Sequence, residues 1–172
     1  MLEFEDFIYP KKESVVVREI ARAILLDEDN NVVLECVERD DDFGYSKYVE
    51  TPGGGININE SQEEALIREI KEELGYVACV LKKIEVVKDY YNLISRCNMN
   101  HYYLAKIVGK CPDHKEELEK KILIGETHLP IEKAIEKMKE NEGNVGKLVL
   151  QRELPILMIV ERKMKEGEIC LK

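Results

Sequence analysis

The sequence predicts an α/β fold in which a mixed β-sheet is covered by helices. Three observations predict it. Segments rich in β-branched residues are separated by polar turn clusters through most of the chain, one strongly amphipathic stretch lies among them, and helical spacing takes over after Pro130. The 172 residues match a common domain size and can bury a substantial core. We therefore expect a single domain over residues 1–172, with 1–13 as an N-terminal arm and 145–166 as a C-terminal helical region.

Residues 14–26 and 32–37 are β-branched, and Asp27-Glu28-Asp29-Asn30-Asn31 between them is a polar turn, so the spacing predicts a hairpin. Asp40 to Gly44 makes a second turn, leading through Tyr45 and Tyr48 into Pro52-Gly53-Gly54-Gly55. Adjacent glycines weaken a strand, so a close backbone approach or positive φ is the reason to place them together. Ser61 with Glu64 is a capping-box start, Gly75 is suited to the position just past a helix end, and Leu66, Ile67, Ile70 and Leu74 keep helical spacing between them. Residues 77–87 and 100–108 read as further strands, and 111–121 as a charged loop or short helix. Pro130 opens a helix carrying Ile131, Ala134, Ile135 and Met138 on one face. Residues 141–146 break it. Pro155 is expected to interrupt or restart the last helical region. There Leu148, Leu150, Leu157 and Ile159 either cover the sheet or form a homodimer contact, and the sequence leaves both open.

Composition narrows the function classes. A net charge of −9 argues against binding polymeric nucleic acid through a basic face. It leaves phosphorylated small molecules available, because a bound cation inverts the local field. Cys36, Cys79, Cys97, Cys111 and Cys170 are odd in number and lack C-x-x-C spacing, which fits reduced thiols in a cytoplasmic protein better than zinc. The start, MLEFEDFIYPKK, lacks the basic and apolar regions of a signal peptide. The longest apolar run, 154–160, is far too short to span a bilayer, so no membrane partner is expected.

The chemistry lies in residues 54–76. Glu69, Glu72 and Glu73 are spaced i, i+3, i+4, so their carboxylates leave one arc of the same helix and repel each other. A hard divalent cation with oxygen ligands, Mg²⁺ above all, neutralises such a set. An acidic solvated face is the ordinary meaning of three such residues. Glu60, Arg68 and the preceding glycines, with a Gly53 carbonyl able to face the same cation, turn the reading toward metal.

This stretch resembles the Nudix box, Gly-x5-Glu-x7-Arg-Glu-aliphatic-x-Glu-Glu-x-Gly-aliphatic. Gly54, Glu60, Arg68, Glu69, Glu72, Glu73 and Gly75 fill every fixed position, and Ile70 the first aliphatic one. Tyr76 departs at the last. Seven such coincidences arise by chance on the order of 10⁻⁷ per start. His128-Leu129-Pro130-Ile131-Glu132-Lys133-Ala134 is similar to the family's later Trp-x-Pro-x-Glu-Glu-Ala stretch, with His128 in place of Trp, a packing or helix-entry role rather than a catalytic one. The likeness covers roughly residues 14–140, and only the box is specific.

The resemblance implies a Nudix-type α/β/α sandwich and hydrolysis of a diphosphate linkage. It implies Mg²⁺, with Mn²⁺ as substitute, held by Gly53, Glu69, Glu72 and Glu73. Arg68 would orient Glu69, or pair with Glu64 or Glu72 as a surface arginine, and Glu60 would stand behind the ligands. The base is either a carboxylate close to the cations or, as in some Nudix enzymes, one from a later loop, where Glu116, Glu117, Glu119 and Glu126 are the candidates. Arg39, Tyr45, Tyr48 and Arg96 are candidates for contacting a small nucleotide substrate by charge and stacking. Tyr90 and Tyr91 tilt the substrate class toward dinucleoside polyphosphates, beside ADP-ribose and nucleotide sugars. Nucleoside triphosphate pyrophosphohydrolysis is the nearest enzymatic alternative. A nucleotide-sensing Nudix module without turnover is the alternative from another class.

Overall fold

The computed structural model describes residues 1–112, 115 and 119–169. Strands are β1 (Leu2–Phe4), β2 (Val16–Leu26), β3 (Val32–Asp41), β4 (Gly44–Glu50), β5 (Gly53–Gly55), β6 (Tyr76–Tyr91), β7 (Arg96–Lys110) and β8 (Leu123–Leu129). Helices are α1 (Gln62–Leu74), α2 (Glu119–Ile122), α3 (Ile131–Met138) and α4 (Gly143–Lys165). The strands form one mixed sheet in the order β1-β6-β7-β2-β3-β4, with β5 added to β2 and β8 to β3. The pairs β1/β6 and β2/β7 are parallel. The expected arm, 1–13, thus supplies an edge strand. Among the described residues no helix is long and apolar enough to cross a membrane.

Alternation along β2 separates the two layers. Ala21, Ala23 and Leu25 pack with Ala65, Leu66 and Ile70 of α1, whereas Ile24 and Leu26 pack with α3 and α4 through Ala134, Met138, Ile156 and Leu157. Where helices cover both faces, the core strands must be apolar on both sides, as residues 23–26 are.

The feature that makes room for a site is a split in the sheet. β2 pairs with β3 only at Leu25↔Val33 and Leu26↔Val32, then leaves it and pairs with β5 at Ile20 to Arg22. β3 continues between β4 and β8 instead. The gap between β2 and β3 opens beside the helix that carries the acidic residues.

Three expectations change. The glycine run, of a kind that weakens a strand, is itself one: Gly53 has φ of +139°, and a Cβ there would strike the Ala21 backbone, so only glycine lets β5 lie against β2. Ile67 is 38% exposed, and Ala65 takes its place on the buried stripe, because the outer side of α1 faces solvent. Pro155 neither stops nor restarts α4, which runs unbroken over 23 residues. An interior proline costs about 3 kcal/mol. Burial of Arg152, Glu153, Ile156, Leu157 and Val160 around it carries the helix through.

Candidate active site

The box helix starts as its residues dictate. The Ser61 side chain accepts from the Glu64 amide at 3.2 Å, the Glu64 carboxylate accepts from the Ser61 amide at 2.9 Å, and Gly75 closes the helix in the left-handed region. With both ends fixed, Arg68, Glu69, Glu72 and Glu73 project toward β5. They line a recess of about 420 Å³ together with Arg18, Ile20 and Arg22 of β2 and residues 53–57.

Arg68 organises this recess. Its Nε and Nη2 donate to the two Glu60 oxygens at 2.7 and 2.9 Å, Nη1 donates to Glu69 at 2.8 Å and Glu72 at 3.0 Å, and Nη2 also donates to the Gly55 carbonyl at 2.9 Å. The Arg68 bonds, with the Asn57 amide, hold the Glu60 carboxyl down to about 2. Arg68 in turn is held well above its ordinary value, chiefly by Glu60. Of the two helix partners weighed for Arg68, Glu72 is present, while Glu64 is occupied in the cap.

Glu73 is buried and accepts from the Gly53 amide at 3.1 Å, tying the helix to β5. Glu69 is equally buried, and a Cβ on Gly54 would sit 2.5 Å from its carboxyl group, so glycine leaves the cradle that this carboxylate fills. Across the split, Glu35 of β3 is 2% exposed, and its Oε1 has no hydrogen-bond partner. Burial, with Glu73 and Glu50 nearby, pushes the Glu35 carboxyl far above the usual range, and it is hydrogen-bonded to Glu73. Sequence reasoning missed Glu35, because a lone glutamate in an apolar strand carries no motif.

These residues fit a hard divalent cation. Buried carboxylates, a glycine cradle and an orphaned carboxyl oxygen form an all-oxygen donor set. Among the described residues no group of three acidic, histidine or cysteine side chains converges tightly enough to hold an ion as it stands, since Arg68 occupies the space between Glu69 and Glu72.

A second polar system underlies the recess. Arg22 donates to the Thr51 carbonyl at 2.8 Å, Glu50 at 3.2 Å and Asn100 at 3.3 Å. Glu153 of α4 accepts from the Thr51 amide at 2.8 Å and from Arg152 at 2.7 Å. Arg152 also reaches the hydroxyls of Tyr102 and Tyr91 at 3.1 and 3.2 Å. This buried network fixes the backbone just before Gly53. The Arg22, Arg152 and Glu153 roles were invisible in the sequence, since, apart from the contact between the neighbours Arg152 and Glu153, their hydrogen-bond partners lie 28 to 102 residues away.

The expected substrate residues divide. Arg96 of β7 lies close enough to Arg18 to repel it, beside the recess. Arg39 and Tyr48 do not reach the recess. Arg39 pairs with Asp41, and Tyr48, opposite Val37 in the β3/β4 register, is buried under α4 with Val145 and Val149. Strand alternation turns Tyr48 into the core. Tyr45 is exposed and donates to Glu38 at 3.0 Å. Tyr90 donates to Glu3, Tyr91 accepts from Arg152, and neither lines the recess. Glu126 accepts from Tyr76 at 2.5 Å and contacts His128 at 3.1 Å. His128 also meets Asp27 at 2.8 Å and packs edge-on against Tyr76. His101 sits 2.6 Å from Glu19. His114, Glu116, Glu117, Cys170 and the Glu119 side chain lie outside the described residues. Cys36, Cys79, Cys97 and Cys111 are free thiols.

Comparison with known proteins agrees with this geometry. A search of curated proteins gives no significant match. Among solved structures, the chain resembles the solution structure of the E. coli ORF135 protein, with 20% identity and TM-score 0.64 over 87% of this chain and 92% of that one. It resembles the MutT protein from Methanosarcina mazei Go1 at 16% identity and TM-score 0.64, covering 90% and 99%. An ADP compounds hydrolase matches at 19% identity and TM-score 0.59, covering 94% and 80%. The family model described as NUDIX domain matches residues 17–145, which include all of β2 but its first residue, the complete box and β8. The chain therefore belongs to the NUDIX domain family, as a hydrolase of pyrophosphate bonds.

Proposed function

We propose that this chain is a Mg²⁺-dependent hydrolase that cleaves the diphosphate linkage of a nucleoside diphosphate derivative, releasing a nucleotide and a phosphorylated product. The observation that carries the reading is the opposition, in one recess, of the Glu69, Glu72 and Glu73 carboxylates to the Arg18 and Arg22 guanidiniums. Carboxylates alone suit a cation, and arginines alone suit an anion. Both together suit a metal-bound diphosphate. The likeness to an ADP compounds hydrolase over most of this chain supports the choice of substrate class.

Glu69, Glu72, Glu73 and the Gly53 carbonyl would hold Mg²⁺, which when bound neutralises non-bridging phosphate oxygens and acidifies water. The chain's own residues do the rest. Arg18 binds phosphate oxygens from the β2 side, and Arg22, held by Glu50, Thr51 and Asn100, adds positive charge behind it. Arg68, anchored on Glu60, keeps Glu69 and Glu72 in place, and the Gly53 amide does so for Glu73. Glu72 is the more exposed of the two carboxylates on Arg68, at 32% against 10% for Glu69, and is suited to take a proton from the attacking water.

The test is hydrolysis of a panel of dinucleoside polyphosphates, ADP-ribose and nucleotide sugars with Mg²⁺, scored by product chromatography. Wild-type turnover, abolished by EDTA and lost in Glu72→Gln and Glu73→Gln, is expected. Equal turnover in those variants removes the site assignment. Nucleotide binding without any product would favour a sensing module instead.

A further inference from the structure

The wall of the cleft that faces α1 carries an acidic residue outside the box. Glu35 lies on β3 just past the point where β2 and β3 part, two residues beyond Val33, which packs in the α1-side core. Alternation therefore aims its side chain at α1 and away from α4. It lines a second recess with Glu73, Glu126, Lys115 and Lys120, and Glu73 also borders the recess of Glu69 and Glu72. The two recesses are thus halves of one cleft, with Glu73 at their junction and Glu126 opposite Glu35 in the β3/β8 register.

A carboxyl group 2% exposed, with one oxygen lacking any hydrogen-bond partner, is costly unless something positive completes it. Of the cations around it, Arg22 donates to Glu50, Thr51 and Asn100, and with Lys115 and Lys120 also lining the recess the Glu35 Oε1 still has no hydrogen-bond partner. Glu35 instead meets the carboxyl of Glu73, a like group. Two buried carboxyls that face each other across a cleft, one oxygen unsatisfied, are an incomplete cation site. A role in packing alone is better filled by an apolar residue, as at Val33 on the same face.

We propose that Glu35 is a ligand for a divalent cation, which it holds jointly with Glu73 from the β3 wall, in addition to the glutamates of α1. This rests on the metal-dependent reading of the cleft. It adds a donor that lies 19 residues before the box and outside it. Glu35 would thereby tie β3 to α1 through the ion, closing the split between β2 and β3 from its open side.

The experiment is a Mn²⁺ titration of the full chain without nucleotide, followed by electron paramagnetic resonance of free Mn²⁺. Wild type, Glu35→Gln and Glu69→Gln are compared, with circular dichroism as the check of folding. Glu35→Gln keeps the size and a hydrogen-bond donor to Glu73, so a purely structural role would leave Mn²⁺ affinity alone. We expect affinity to fall about tenfold or more, the range seen when groups supporting a metal are removed. Superimposable isotherms for wild type and Glu35→Gln, with Glu69→Gln weakened, overturn this inference and leave the metal reading standing. No Mn²⁺ binding by wild type overturns both. If Glu35→Gln does not fold, Glu35→Asp serves. It keeps the charge and shortens the reach, and unchanged Mn²⁺ affinity there overturns the proposal as well.

Discussion

Arg68 and Glu60 meet fork to fork, with Nε to Oε1 at 2.7 Å and Nη2 to Oε2 at 2.9 Å. This pair spans eight residues, from the turn before α1 into its second turn, and leaves Nη1 free to grip Glu69 and Glu72. A planar guanidinium can serve three carboxylates and a carbonyl at once, and an ammonium cannot. Arg68→Lys is therefore expected to lower kcat/KM about 10–100-fold while thermal stability changes little, since partly exposed ion pairs are worth about 0–1 kcal/mol. Steady-state kinetics beside a melting curve checks this, and full activity in the lysine variant would refute the role of the fork.

The glycine cradle yields a second prediction. In Gly54→Ala the new Cβ falls 2.5 Å from the Glu69 carboxyl, which must swing away. The obstacle is the end of a flexible side chain, so the fold survives. Mn²⁺ affinity and turnover should fall together. Calorimetric Mn²⁺ titration of a normally folded Gly54→Ala protein decides it, and wild-type affinity would mean that the Glu69 position is unimportant.

Arg152 is 1% exposed and sits against Glu153, which is fully buried. Removing one partner of a buried pair leaves the other uncompensated, at about 3–5 kcal/mol. Arg152→Ala should show that loss in urea unfolding. Because Glu153 also holds the Thr51 amide, Glu153→Gln should be milder in stability and yet reduce kcat, by loosening the approach to Gly53. Unfolding midpoints within error of wild type for Arg152→Ala would contradict this account.

His128 gives a pH signature. Burial alone would lower it, but its bonds to Asp27 and Glu126 prevail and raise it above its ordinary 6.5, while the bonds that Asp27 receives outweigh burial and hold Asp27 below its own ordinary value. A cation with a raised folded value stabilises fully below 6.5 and loses that contribution as pH rises through the folded value. The melting-temperature gap between wild type and His128→Gln should be wide near about pH 5.5 and narrow near about pH 8.5. A gap that widens toward alkaline pH would reverse the sign.

Residues near each other in the chain carried most of what was legible beforehand. The capping box of Ser61 and Glu64, the close at Gly75, the spacing of Glu69, Glu72 and Glu73, and the hairpin around Asp27 to Asn31 depend on local periodicity and turn chemistry, which sequence displays directly. Gly53 and Gly54 were suspected of close approach, and Ala21 and Glu69 proved to be what they approach. Tyr48 and Arg39 stand apart from the recess because a polar or aromatic side chain in a strand faces core or cleft according to register, which residues 37 and 48 settle only by pairing.

The sequence by itself determined the helix, its caps and the acidic arc on it, because each is set by neighbours within a turn or two. Only the tertiary structure decided that β2 leaves β3 after two paired positions and that Glu35 then faces Glu73. The same packing joined Arg22 to Glu153 of α4. Those relationships are chosen by sheet register and by burial of groups far apart in the chain, where a mismatched carboxyl costs more than any local preference can report.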